Sequence, residues 1–360
     1  MGHRTIDITT GGSAWTSAAV EALDAGSLVV LPTETVYGVA ARADRAEALE
    51  RLAELKGRPS ERAFTWHTAS AEALERFGST GALTRRLASR YWPGPLTLVL
   101  PGAPEGLELV AREGWTGVRC VAGEAAATLC AAAPFPLVMS SANAHGEEPA
   151  TEVSGLGGLP LADGDLVLDG GPALLGEAST VLRLGEGRFE LLREGLHDLE
   201  ALRRAAGLRL AFVCTGNTCR SPMVEALARA ALARRLGCEP GRLGDFGLEV
   251  RSMGIHAPVG APASPHSVEV LASRGLDLGA HRATQATLEA LLELDAVYGL
   301  TRGHVAALEQ ALPPGKADRV HLLDPEGRDI ADPIGGDLEL YAACAAQIEA
   351  AVEARLDEWA

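Results

Sequence analysis

Short apolar runs alternate with amphipathic stretches along the first 195 residues. The runs 27–31, 96–100, 137–140, 166–168 and 180–184 are rich in Val and Leu and read as strands. Residues 45–55 place Leu and Ala at helical spacing among Glu and Arg, which predicts a helix. Gly- and Pro-rich breaks at 92–95 and 155–160 separate these elements. The series ends near residues 191–195, and a polar helical stretch at 197–206 leads into a sharply apolar strand at 208–213. The domain boundary is placed there, giving one domain over 1–200 and another over 208–360. The second part reads as strand 208–213, helix 222–236, strand 248–252, helices 265–274 and 287–292, strand 296–300 and a final helix 337–356. Strands alternating with helices imply parallel strands joined by right-handed crossovers, a doubly wound α/β sheet.

Composition agrees with two domains, since 360 residues exceed the usual span of about 100–200 for one. Apolar residues make up 47% of the chain, enough for two ordinary cores. The formal charge of −16 argues against strong direct binding of nucleic acid, which needs clustered Lys and Arg, but leaves room for a local basic pocket. No apolar run approaches the ~20 residues needed to cross a membrane. Residues 1–14 lack the basic-then-apolar order of a signal peptide. The six cysteines form no CxxC pair, so reduced thiols and a cytoplasmic location are expected.

Candidate chemistry is densest where the strand 208–213 meets the following helix. The connecting residues are Cys214-Thr215-Gly216-Asn217-Thr218-Cys219-Arg220-Ser221-Pro222. Gly216 and Asn217 tolerate unusual backbone angles, so successive N–H groups can turn inward as an anion-binding nest. The helix adds its positive N-terminal end, and Pro suits its first turn. Arg220 offers a planar fork for two phosphate oxygens. Cys214 at the centre of this field is expected to act as a nucleophilic thiolate, with Ser221 as a hydrogen-bond partner. Phosphoryl transfer to a cysteine also needs an acid for the leaving group. The candidates are Asp324-Pro325 and Asp332-Pro333, and Asp332 sits in a loop before the last helix, as a closing acid would. Cys219 is either an oxidation partner for Cys214 or a packed loop thiol.

With these motifs, and with Arg251-Ser252-Met253-Gly254-Ile255 and His281-Arg282, residues 208–360 resemble the low-molecular-weight protein-tyrosine phosphatase family. The resemblance implies a flavodoxin-like parallel sheet, nucleophile Cys214, phosphate clamp Arg220, acid Asp332 and no metal cofactor. Thr218 and Gly335-Gly336 resemble the protein arginine phosphatase branch, so a phosphoprotein carrying phosphoarginine is the expected substrate. Ile334 stands where both branches tend to place an aromatic.

The first part offers a second constellation. Pro32-Thr33-Glu34-Thr35-Val36-Tyr37-Gly38 is a glycine-closed polar turn after a strand, and Lys56-Gly57-Arg58-Pro59 could set two cations on a polyphosphate. Alone, the second is commonly a solvated helix end, and Ser140-Ser141-Ala142-Asn143 a turn. Together with Tyr91-Trp92-Pro93-Gly94-Pro95-Leu96-Thr97 and Asp169-Gly170-Gly171-Pro172, they resemble the YrdC-like threonylcarbamoyl-AMP synthase family. That resemblance implies a twisted mixed α/β sheet and an enzyme joining L-threonine, bicarbonate and ATP for tRNA modification, with Mg2+ on the ATP and downstream tRNA-modifying partners. Thr35, His67, Arg119, Ser141 and Ser179 would hold threonine or its carbamate. Lys56, Arg58, Asn143, Thr151 and Arg193 would hold the nucleotide. Trp115 stands where the family usually has a threonine, with Thr116 one place late. No carboxylate set for a metal is evident. The alternative reading is a phosphotyrosine phosphatase carrying an N-terminal nucleotide- or RNA-binding regulatory module.

Overall fold

A computed structural model describes residues 3–10, 12–57, 63–78, 80–144 and 146–360. It divides into two units: Met1–Thr80 with Thr84–Leu202, and Gly81–Leu83 with Arg203–Ala360.

The first unit is built on one ten-stranded mixed sheet. Its strands are β1 (Arg4–Asp7), β2 (Val29–Pro32), β3 (Tyr37–Arg42), β4 (Thr65–Thr68), β5 (Leu96–Pro101), β6 (Trp115–Cys120), β7 (Leu137–Ser141), β8 (Leu166–Asp169), β9 (Thr180–Gly185) and β10 (Arg188–Arg193). They lie in the order β1-β8-β2-β3-β7-β4-β6-β5-β9-β10. β2 and β3 form an antiparallel hairpin that pairs Pro32 with Tyr37, so Thr33 to Val36 are its turn. One core layer packs the helices Ala14–Asp24 and Glu124–Ala132 through Leu23, Ala126 and Leu129 against Val29, Leu31, Met139 and Leu168.

The second unit carries four parallel strands, β11 (Leu208–Cys214), β12 (Leu248–Gly254), β13 (Ala296–Gly299) and β14 (Val320–Leu322), in the order β12-β11-β13-β14. The central strand β11 is apolar on both faces and buried from Leu210 to Cys214, the pattern of a parallel strand covered on each side. Both sheets are of the α/β classes expected.

Several elements were not legible. β4 and β6 lack apolar alternation because buried polar groups, among them His67 and Arg119, occupy inward positions, and β3 is hidden because its Gly and Ala residues are buried without alternation. The helices Ala82–Tyr91 and Arg302–Ala311 and the short edge strands β1, β10 and β14 were also unmarked. The helix expected from Pro222 starts at Arg220, which puts Arg220 and Ser221 in its first turn. The expected single helix 337–356 is two pieces, Leu338–Glu353 and Leu356–Trp359. Between them Arg355 donates to the carbonyls of Leu322 and Leu323, and Trp359 is buried with its ring 5.6 Å from Phe212 and 5.3 Å from Tyr298.

Candidate active sites

In the second unit, β11 ends on Cys214 and the helix Arg220–Leu236 begins six residues later. The Cys214 sulfur lies 3.0 Å from Ser221 Oγ and receives the Asn217 backbone N–H at 3.3 Å. The Asn217 N–H directed into the loop at a helix N-terminus makes the position suited to binding an anion. The loop is held from behind through Asn217, fully buried, whose φ of 53° is the left-handed conformation an Asn tolerates. Its Nδ2 donates to Ser221 Oγ and Ser252 Oγ, each at 2.9 Å, and its Oδ1 accepts from Thr284 N at 2.7 Å. His281 Nε2 lies 2.8 Å from its carbonyl, and Ser252 passes a hydrogen bond to Glu225 at 2.6 Å.

The expected freedom of Gly216 is not used, since its φ is not positive and a Cβ there would meet only Thr218 Oγ1 at 3.5 Å. The essential glycine is Gly254 at the end of β12, opposite Cys214, where a Cβ would stand 2.7 Å from Thr215 O and 2.9 Å from Asn217 N.

Arg220 is buried, donates to Ile330 O at 3.2 Å and pairs with the Asp332 carboxylate. Of the two acid candidates, Asp332 is the one at the loop. Asp324 is buried and accepts from Glu326 N and Arg328 Nε, both at 2.8 Å. Thr218 is half-buried and Thr215 exposed at the lip. Cys219 is buried and free, with its sulfur 3.4 Å from Tyr341 OH. Tyr341 and His304, which lies 3.0 Å from Thr215 Oγ1, had no signal in local spacing because they come from distant helices.

The first unit gathers its residues differently. A cavity of about 330 Å³ opens on the sheet, and Thr35, His67, Arg119, Ser141, Ser179 and Arg193 all line it. Register explains part of this: His67 on β4 pairs with Arg119 on β6, and Gly38 on β3 with Ser141 on β7. Arg119 Nη2 donates to Glu34 at 2.6 Å and to Thr35 Oγ1 at 3.0 Å, and its Nε donates to Gly94 O at 3.1 Å. Burial alone would raise the Glu34 carboxyl, but Arg119 and the Gly123 N–H hold it below its ordinary range. Gly123 is required, because a Cβ there would stand 2.6 Å from Glu34 N. Burial, and then Arg119, push His67 down to about 3, so the ring is neutral. Arg193 donates to Ser179 O at 2.7 Å and Ser179 Oγ at 3.0 Å. Tyr37 OH donates to Gly171 O at 2.7 Å, which ties the Pro-Thr-Glu-Thr-Val-Tyr-Gly and Asp-Gly-Gly-Pro phrases together.

Other expected nucleotide contacts lie apart from this lining. Lys56 is not a solvated helix end: it is fully buried, and its amine donates to the Ser141 carbonyl and to Asn143 Oδ1 at 2.7 Å. Asn143 stands behind Ser141, and Thr151 is exposed away from the cavity. Arg58 lies outside the described residues. Trp115 shares an inward strand face with Gly117 and Arg119, whereas Thr116 points the other way and donates to Gly102 O at 2.7 Å. Arg112 and Arg183 add positive charge to the lining, and Glu113 is its one carboxylate among the described residues.

These geometries match known families. The Sua5/YciO/YrdC family model, described as telomere recombination, matches residues 21–195. The low molecular weight phosphotyrosine protein phosphatase model matches residues 209–359. The first region is 37% identical over 190 residues to a threonylcarbamoyl-AMP synthase of Pyrococcus abyssi, covering 51% of this chain and 54% of that one. A solved structure of P. abyssi Sua5 superposes with a TM-score of 0.51 at 32% identity, covering 58% of this chain and 69% of that one. The second region is 36% identical over 148 residues to a protein-arginine-phosphatase of Geobacillus stearothermophilus, covering 40% of this chain and 91% of that one. The chain belongs to both families. It is a two-domain fusion, and it spans about half the length of the P. abyssi synthase that it matches.

Proposed function

We propose that the second domain is a cysteine-dependent phosphatase acting on phosphoprotein, with phosphoarginine the favoured substrate. The observation that carries this is the Cys214 sulfur held by Ser221 and Asn217 N–H at a helix N-terminus, beside an Arg220–Asp332 pair. A phosphoryl group entering the nest would take the Arg220 fork and release Asp332 toward the leaving group. Cys214 Sγ then attacks phosphorus, an S–P bond forms, and the P–N or P–O bond breaks as Asp332 supplies the proton. Water, deprotonated by Asp332, hydrolyses the thiophosphate and returns the sulfur. Thr215, Gly216, Asn217, Thr218, Cys219 and Ser221 complete the anion cradle. Hydrolysis of phosphoarginine and phosphotyrosine peptides side by side tests the reading. The Cys214→Ser variant should lose at least ~10⁴-fold in kcat, and turnover surviving that change would remove the mechanism.

We infer that the first domain makes threonylcarbamoyl-AMP from L-threonine, bicarbonate and ATP. The supporting observation is one cavity that joins Thr35, His67, Arg119, Ser141, Ser179 and Arg193 within a chain of net charge −16. Threonine's amine becomes a carbamate whose oxygen attacks the α-phosphorus, and pyrophosphate leaves. The protein positions anions and offsets their charge. Among the described residues no group of three or more His, Cys, Asp or Glu fits a resident metal. Mg2+ would arrive on the nucleotide phosphates. Pyrophosphate release that requires both threonine and bicarbonate tests the assignment, and release independent of them would favour a nucleotide-binding module instead. Residues 1–200 and 208–360, expressed separately, should each keep their activity. No described helix is long and apolar enough to cross a membrane, and we place both activities in the cytoplasm.

A further inference from the structure

We propose that His304 determines phosphatase specificity by accepting the hydroxyl proton of Thr215, which turns the Thr215 oxygen into an acceptor for a substrate guanidinium. The inference rests on the phosphoarginine reading above and deepens it.

His304 sits in the first turn of the helix Arg302–Ala311 and is 5% exposed. Thr301 caps that helix: its Oγ1 accepts from His304 N at 3.2 Å and lies 2.9 Å from His304 Nδ1. On the ring's other side, Nε2 is 3.0 Å from Thr215 Oγ1 at the exposed lip of the phosphate loop. The charged groups facing the ring are Arg220 from the helix after the loop and Asp329 and Asp332 from the acid loop. Burial and Arg220 outweigh the two carboxylates, so the ring is neutral at ordinary pH.

A neutral imidazole donates through one nitrogen and accepts through the other, so two arrangements fit these distances. In one, Nδ1–H donates to Thr301, whose oxygen has a lone pair besides the one used by the backbone N–H. Nε2 then accepts from Thr215, and both Thr215 lone pairs are left for the cleft. In the other, Thr301 O–H donates to Nδ1 and Nε2–H takes one Thr215 lone pair, which leaves the cleft a free Thr215 O–H and a single lone pair. A guanidinium brings only N–H donors, and each one left without an acceptor on desolvation is costly. It therefore selects the first arrangement. The rest of the rim adds oxygen acceptors: Thr218 is half-buried and the Asp332 side chain is 43% exposed. Protonating His304 would make Nε2 a donor, which takes one Thr215 lone pair, frees the Thr215 O–H toward the cleft and weakens the site for a guanidinium.

The test is the ratio of kcat/KM for phosphoarginine to that for phosphotyrosine in the full chain. Thr215→Val and His304→Phe should each lower it about fivefold, and the double variant should fall no further, since both remove one contact. His304→Gln presents an amide oxygen that can accept but does not titrate. It should keep the ratio at neutral pH and lack the decline the wild type shows on acidification, which sets in below the ordinary imidazole range. Substrate titration is common to both proteins and cancels in that comparison. An unchanged ratio in Thr215→Val, additive losses in the double variant, or identical pH profiles for wild type and His304→Gln would each overturn the proposal. If His304→Phe does not fold, the Thr215 variant and the pH comparison decide. A wild type that prefers phosphotyrosine sinks the phosphoarginine reading itself, and this inference with it. A wild type that prefers phosphoarginine with unresponsive variants sinks only the inference.

Discussion

Eight consecutive residues, Cys214 to Ser221, supply the sulfur, the inward N–H groups and the arginine of one site. The other site draws on residues from Thr35 to Arg193, carried by strands or turns that meet only after ten strands have paired. The charge economy differs as well. Arg119 is matched inside the protein by Glu34, with both side chains 6% exposed, whereas Arg220 is matched by Asp332, which is 43% exposed. A buried pair is part of the fold, while a half-exposed one can be exchanged for a ligand. The phosphate loop thus pairs its buried arginine with a carboxylate that can move away, and the pocket of the first domain pairs its arginine with a carboxylate fixed in the wall.

Removing each arginine should separate these designs most sharply. Arg119→Ala leaves Glu34 buried without its partner and should cost the first domain about 3–5 kcal/mol, beyond the loss of pyrophosphate release. Arg220→Ala should abolish phosphatase turnover yet cost less than about 1 kcal/mol, because Asp332 can be solvated. Denaturant unfolding resolves the two, since Trp15, Trp66, Trp92 and Trp115 report on the first unit and Trp359 on the second. Equal destabilisation would mean that the distinction between a fixed and an exchangeable counterion is false.

A smaller effect probes the loop alone. Gly254→Ala places a Cβ 2.7 Å from Thr215 O and should cost about 1–3 kcal/mol, or about 5–150-fold in phosphatase kcat/KM, by pushing the nest out of shape. Gly216→Ala meets only a 3.5 Å contact and should stay within about threefold. A reversal of that order would return the conformational role to the glycine inside the motif.

The same pair of glycines shows what could be read in advance. The nest was legible because its chemistry is contiguous: strand, Cys, Asn, Arg, Ser and helix follow one another, and each has a local reason. Gly254 was visible only as part of a family phrase, since nothing in its own neighbourhood says that a loop forty residues earlier in the chain rests on it. In the first domain, β4 and β6 were not recognised because pocket walls need His67 and Arg119 where a core strand would need Val or Leu. Glu34 was visible only inside a family phrase, without its role, and Gly123 was silent. Their tasks, balancing Arg119 and letting the turn approach, exist only in the assembled sheet. His304 belongs to this class too, reaching the loop from 89 residues away.

His67 allows the quietest test of whether the pocket wall is part of the fold. Its ring is 7% exposed, and Nδ1 lies 2.9 Å from the Thr65 carbonyl, which fixes Nδ1 as the protonated nitrogen of the neutral form. Burial first and Arg119 second push it from 6.5 down to about 3. The folded value lies below the unfolded one, so between these limits the unfolded chain binds the proton and the folded chain does not. Stability from this group is therefore complete above about pH 6.5 and declines on acidification, by about 1.4 kcal/mol per pH unit. Other groups titrate over the same range, so the informative quantity is the difference between wild type and His67→Gln, which cannot take up that proton. From about pH 6 to about pH 4 the wild type should lose stability more steeply than the variant by that slope, in the unfolding transition of the first domain. Parallel curves would mean that the imidazole is hydrated in the fold, and that the pocket wall at β4 opens to water where Arg119 and Glu34 require it closed.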